Sequence, residues 1–170
     1  MGAEPTTSSV LVEGIDTRLE TDDVPLDLDR WTDLARAVLG GLGFDRPVEM
    51  GLRFVDPDEI AELNVEHRGF GGPTDVLSFP VDGDPRVTDG DGLPGAAADE
   101  PAVLGDVVVC PTVAAAGAAK RSLPVDDELA LLIVHGILHL LGWDHRAPDE
   151  TAAMQAEERR LLARHHASTP

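Results

Sequence analysis

The run from Leu129 to Trp143 restricts this chain most: fifteen residues, apolar apart from His135, His139 and two glycines. A membrane-spanning helix needs about 20 apolar residues. The run therefore reads as a leucine-rich helix ending near Leu140, with Asp126 or Asp127 placed to cap its start. His135 and His139 are four residues apart, which sets their rings on one helix face about one turn from each other. Gly142 stands where a helix closes by turning its backbone left-handed, which glycine does at least cost. Such a turn would swing His145 back towards the other two.

Three of the six histidines thus fall within eleven residues. Three neutral imidazoles leave the fourth position of a tetrahedral zinc ion to water, the open arrangement of a catalytic site. Zinc lowers the pKa of that water to about 7. The alternative is that His135 and His139 are satisfied histidines of the core or surface, and the third histidine after a glycine turn weighs against it. A closed structural zinc site would lack its fourth ligand, because no Cys or further His lies nearby. The spacing His-x3-His-x2-Gly-x2-His is the one metzincin proteases use, where a Glu after the first histidine serves as general base. Gly136 occupies that position here, so the ligand spacing is kept while the proton acceptor of a peptidase is missing. The His-x-Glu and Pro-Cys-x-x-Cys elements of zinc nucleobase deaminases are absent.

At 170 residues the chain can bury one sizeable core but is short for two domains. Its 26% charged and 42% hydrophobic residues fit a globular protein rather than a disordered one. The single cysteine, Cys110, excludes an internal disulfide and a multi-Cys zinc module, and reads as a small buried residue at a strand end. Met1 to Ser9 carries neither a basic run nor an apolar stretch, so no secretory signal is expected. A soluble cytoplasmic protein with no membrane partner is the expectation.

Residues 1–9 read as a flexible tail, 10–165 as a single domain, and 166–170 as a second tail that His165 and His166 introduce. Val10 to Ile15 is a candidate first strand. Trp31, Leu34, Val38 and Leu42 form the stripe of an amphipathic helix from Leu28, stopped by Gly40, Gly41 and Gly43. Val48 to Val55 alternates as a half-buried strand does. Asp56-Pro57-Asp58-Glu59 then reads as a helix start with a capping box. That helix should bury Ile60 and Leu63 and fray near His67 to Gly72. Asp75 to Phe79 and Val103 to Cys110 are further strands, the latter interrupted at Gly105-Asp106. Pro111 opens an Ala-rich helix to about Lys120, and a last helix from Pro148 carries Met154, Leu161 and Leu162 on one face. About four strands and five helices predict an α+β fold, a small mixed four-stranded sheet packed by helices, with the histidine helix laid out as in metalloproteases.

Three segments carry a resemblance to a known family: Leu63-Asn64 through Arg68 with Pro73-Thr74-Asp75-Val76-Leu77-Ser78-Phe79-Pro80; Leu104-Gly105-Asp106-Val107; and His135-Gly136-x-Leu138-His139-Leu140-x-Gly142-x-Asp144-His145. The chain resembles the YbeY family of bacterial endoribonucleases. The resemblance implies that His135, His139 and His145 bind one zinc ion and that Arg68 is needed for activity. It also implies cleavage of single-stranded RNA, maturation of the 3′ end of small-subunit ribosomal RNA, contact with the small ribosomal subunit or its proteins, and a part in ribosome quality control. His67 and Trp143 stand where family members often carry Tyr. A hydrolase acting on another substrate, or a non-catalytic ribosome-assembly factor, are the competing classes.

By residue type alone Arg68 is an ordinary surface arginine, though Gly69, Gly71 and Gly72 beside it permit close approach to a ligand. As a forked donor it would hold a phosphate while zinc polarises a phosphoryl oxygen or supplies hydroxide. Asp75 and Ser78 either flank the site or form the turn before the strand, and Asp144 either orients a ligand imidazole or caps its turn. The net charge of -19 opposes tight non-specific RNA binding. More than half of it sits in two segments expected to be peripheral: Met1 to Arg30, with eight acids against two basic residues, and the loop Val81 to Pro101, with six against one. A groove joining Arg53 and Arg68 would suit RNA; an acidic rim around the histidines would not.

Overall fold

The structure is a computed structural model and describes residues 9–13, 26–42, 44, 47–81 and 102–166. Nine elements follow in the order β1 (Ser9–Glu13), α1 (Leu28–Gly41), β2 (Val48–Phe54), α2 (Pro57–Arg68), β3 (Val76–Pro80), β4 (Ala102–Val109), α3 (Pro111–Lys120), α4 (Val125–Leu140) and α5 (Pro148–His165). The strands form one mixed sheet in the order β1-β2-β4-β3. β1 and β4 both run parallel to β2, and β3 runs antiparallel to β4. The expected α+β architecture, with four strands and five helices, is the one observed.

Burial follows the periodicities. Trp31, Leu34, Ala35, Val38 and Leu39 are the buried stripe of α1, whose first turn is capped by Asp27 accepting from the Arg30 amide at 3.1 Å. In β2 the buried residues are Val48, Met50, Leu52 and Phe54. These join Val107 and Val109 of β4 and the apolar face of α4 in the main core. On the other side of β4, Val108 and Cys110 pack with Val55, Leu77 and Ile60 of α2 in a second, smaller cluster. Burial holds the Cys110 thiol above its ordinary pKa, as suits a residue used for packing. The interruption at Gly105 is a bulge: Val103 pairs with Glu49 and Gly105 with Met50, which leaves Leu104 as the extra residue.

Several local expectations need correction. Asp56 caps α2 through the Glu59 amide at 2.7 Å, but the Glu59 carboxylate accepts from Arg53 at 2.7 Å, so the reciprocal half of the capping box is not made. α2 keeps its helix through Arg68 and closes on Gly69, rather than fraying before it; Leu63 is only half-buried, while Asn64 is buried. α4 begins one residue ahead of its expected caps, leaving Asp126 and Asp127 in its first turn, where their charge favours the helix N-terminus. His165 and His166 are not loose. His165 ends α5, and the His166 ring pairs with Asp127 at 2.8 Å. Gly43, part of the expected α1 stop, Gly14 and Ile15 at the end of the first candidate strand, and residues 82–101 of the acidic loop lie outside the described residues.

Candidate active site

α4 crosses the sheet against β3 and β4 and is flanked by α1, α3 and α5. Its seat on β4 is close enough to dictate Gly136. A Cβ at that position would lie 2.5 Å from one Val107 methyl, 3.0 Å from the other, and 3.4 Å from the Ser78 hydroxyl. The Ser78 hydroxyl donates to the Gly136 carbonyl at 3.0 Å, so this serine is committed to docking α4 on β3. No glutamate fits where a metzincin carries its base.

The end of α4 is built as a full left-handed cap. Gly142 has φ 88°, its amide donates to the His139 carbonyl at 3.1 Å, and the Trp143 amide reaches the Leu138 carbonyl at 3.0 Å. The chain beyond is then held twice. Asp144 accepts from the His145 amide at 2.7 Å and pairs with Arg146 at 2.8 Å, while the Thr151 hydroxyl of α5 donates to the His145 carbonyl at 3.0 Å. Of the two roles open to Asp144, the one it fills here is to cap the turn.

These constraints bring His135, His139 and His145 together, with one candidate ligand atom from each lying within 4.8 Å of the others. The Nε2 atoms of His135 and His139 are 3.0 Å apart. His135 and His139 are half-buried and His145 is exposed. Burial, then the neighbouring His135 and His145, hold the pKa of His139 below its ordinary value, which favours the neutral imidazole that a metal requires. The fourth side of the group opens on a cleft of about 720 Å³, lined also by His67, Arg68, Asp75 and Trp143. The donor set, three imidazoles beside open space with no carboxylate or thiolate among them, fits a borderline-soft cation such as zinc.

Arg68, the last residue of α2, is exposed and lines this cleft. The loop after it is anchored by buried Asn64, whose amide donates to the Gly72 carbonyl at 3.0 Å. The His67 ring lies against Phe79, with centroids 4.4 Å apart. Of the two cleft arginines Arg146 is paired with Asp144, whereas Arg68 has no carboxylate partner among the described residues. Arg53 does not join it: it pairs with Glu59, and the groove it lines holds Glu49 and Asp106. A continuous basic groove through Arg53 and Arg68 is therefore not formed. Among the described residues the cleft lining is not acidic either: its two carboxylates, Asp75 and Asp144, are equalled in number by Arg68 and Arg146, and neither carboxylate bonds Arg68.

Two residues were missed in the sequence. Glu158 of α5 meets His135, its Oε1 2.5 Å from Nδ1, and Thr151 holds the His145 backbone. A signal for Glu158 was present: it falls on the stripe of Met154 and Leu161, where an acid is out of place unless it has a partner inside.

Three histidines that could hold a metal ion, and an arginine with no carboxylate partner among the described residues, thus share one cleft of an α+β domain, the kind of site a metal-assisted hydrolase uses. The family is narrower: the model for endoribonuclease YbeY matches residues 16–166, and the chain belongs to that family. It is 47% identical over 138 residues to the endoribonuclease YbeY of Salinispora tropica, covering 81% of this chain and 87% of the relative. Identity to the Thermobifida fusca protein of the same name is 45% over 140 residues, covering 82% and 86%. The solution structure of a Thermotoga maritima protein shares the fold at a TM-score of 0.50, with 23% identity and 91% of each chain covered. No helix among the described residues is long and apolar enough to cross a membrane.

Proposed function

We propose that this chain is a zinc-dependent, single-strand-specific endoribonuclease that matures the 3′ end of small-subunit ribosomal RNA in the cytoplasm and takes part in ribosome biogenesis and quality control, meeting the small subunit or its proteins. The observation that carries this reading is the meeting of His135, His139 and His145 on the cleft where Arg68 has no carboxylate partner among the described residues. Membership of the endoribonuclease YbeY family supports RNA as the anion.

Zinc held by the three imidazoles would supply Lewis-acid polarisation of a phosphoryl oxygen or a bound water of pKa about 7. His135 and His139 would contribute neutral ring nitrogens from a rigid helix, and His145 a third from the far side of the Gly142 turn. Arg68 would bind the scissile phosphodiester with two parallel N–H donors, which fixes orientation as well as charge. Its freedom from a carboxylate partner among the described residues matters in a chain of net charge -19, because the other arginine of the cleft lining, Arg146, is engaged by Asp144. Affinity would then come from the ribosome as well as from the cleft.

Metal analysis together with cleavage of an RNA bearing single-stranded tails tests the reading. One zinc per chain is expected, with cleavage abolished by a chelator and by His139→Ala while the variant stays folded. A folded His139→Ala that cleaves at the wild-type rate would sink the catalytic role of the site, and loss of folding together with metal would make the zinc structural.

A further inference from the structure

Two adjacent glutamates on α5 take different partners. Glu157, half-buried, is held by Arg160 at 2.5 Å, which lowers its pKa. Glu158 turns inward. Its side chain is 10% exposed, it sits on the same stripe as buried Met154 and Leu161, and its Oε1 lies 2.5 Å from Nδ1 of His135. A carboxylate withdrawn this far from water is costly unless it is paired, and the imidazole edge is the partner it has.

We propose that Glu158 is a positioning residue of the metal centre. Its carboxylate accepts the Nδ1–H of His135, which fixes the tautomer, leaves the lone pair on Nε2, and turns that atom towards His139. The proposal rests on the metal reading above and adds to it which nitrogen of His135 is the ligand. It also ranks the three histidines. His135 is backed by Glu158 and His139 by a hydrogen bond with the Trp143 backbone, while His145 is exposed and held through its backbone. A carboxylate behind a ligand imidazole raises its basicity and typically changes metal affinity 10- to 100-fold. α5 would thus belong to the active site although none of its residues lines the cleft.

The experiment compares wild type, Glu158→Ala and Glu158→Gln by zinc competition against a chromophoric chelator, by long-range 1H–15N spectra of the His135 ring in the metal-free protein, and by thermal melting. The wild-type ring is expected as the Nδ1–H tautomer. Glu158→Ala should bind zinc about 10- to 100-fold more weakly, and Glu158→Gln, whose amide oxygen still accepts the proton, should lose less. If Glu158→Ala does not fold, the near-isosteric Gln variant and Glu158→Asp carry the comparison. A merely structural Glu158 would lower the melting temperature of the metal-free protein and leave zinc affinity unchanged, which overturns the proposal, as does an Nε2–H tautomer in the wild type. Wild type that binds no zinc overturns the metal reading and this assignment together, whereas tight wild-type binding with unaltered variants overturns this assignment alone.

Discussion

The histidine side of the cleft and its arginine side are held by different means. On the first, His135 and His139 project from a helix that docks on the sheet at Gly136, ends in a full left-handed cap, and is backed by α5. On the second, Arg68 is exposed at a helix terminus, has no carboxylate partner among the described residues, and is followed by a glycine-rich loop anchored through Asn64. Under the proposed function, the difference follows from what each side would have to do. A metal site needs several donors fixed at once, and only packed elements do that cheaply. A phosphate clamp needs one long side chain with room to reach its ligand, and a carboxylate partner would compete with the phosphate. Stability and activity should therefore separate between the two sides.

The sharpest test of that separation is Arg68→Ala. Removing a charged group that stabilises developing negative charge costs about 2.7–4 kcal/mol, or roughly 100- to 1000-fold in rate. RNA cleavage is expected to fall by that much, while the urea midpoint stays within about 0.5 kcal/mol of wild type, as for other exposed residues. Equal loss of both would erase the contrast. Its counterpart is Gly136→Ala, in which the new methyl meets Val107 at 2.5 Å. Overpacking of this kind costs about 1–3 kcal/mol, and urea unfolding should show it directly. Because α4 carries two of the histidines, cleavage should fall along with stability.

The contrast also explains which parts of the molecule could be read in the sequence. The α1 stripe, the alternation of β2, the Asp56 cap and the Gly142 turn are local patterns, and each reappears in place. His135 and His139 were legible because four-residue spacing on a helix decides their shared face without reference to anything else. The features that failed depend on partners in another element of the fold. Glu59 turned to Arg53 instead of closing its own cap, His166 found Asp127, and Glu158 found His135, 23 residues away. Gly136 is the instructive case. Its sequence position said only that a peptidase base was missing; the physical reason lies in Val107, on a strand whose distance from α4 no periodicity reveals.

Asn64→Ala probes the arginine side more gently. The variant loses the hydrogen bond to the Gly72 carbonyl, worth about 1 kcal/mol net, and with it the anchor of the loop that follows Arg68. The Asn64 Oδ1 atom is buried without a partner among the described residues, so its removal offsets part of the loss. A stability decrease of about 1 kcal/mol or less is expected by urea unfolding. Cleavage should drop several-fold through KM rather than kcat, since the loop would position phosphate and not the metal. A change confined to kcat would place Asn64 with the histidines instead.

The mildest effect concerns acid and the metal-free protein. His139 has its pKa lowered by burial and by His135 and His145, so in the folded chain it resists protonation that the unfolded chain accepts at about 6.5. Above that pH both states carry neutral His139 and its contribution to stability is fully present. As pH falls from about 6.5 through the lowered folded value, the unfolded chain holds more protons and this stability is lost. Urea midpoints of the metal-free wild type should therefore decline on that limb more steeply than those of metal-free His139→Gln. Added zinc should restore the wild-type midpoint near neutral pH and progressively fail to do so in acid, because protons compete for the same imidazoles. Arg68→Ala should follow the wild-type pH curve throughout, since Arg68 makes no bond to the histidine group among the described residues. Parallel curves for wild type and His139→Gln would mean that the histidine side carries no such linkage.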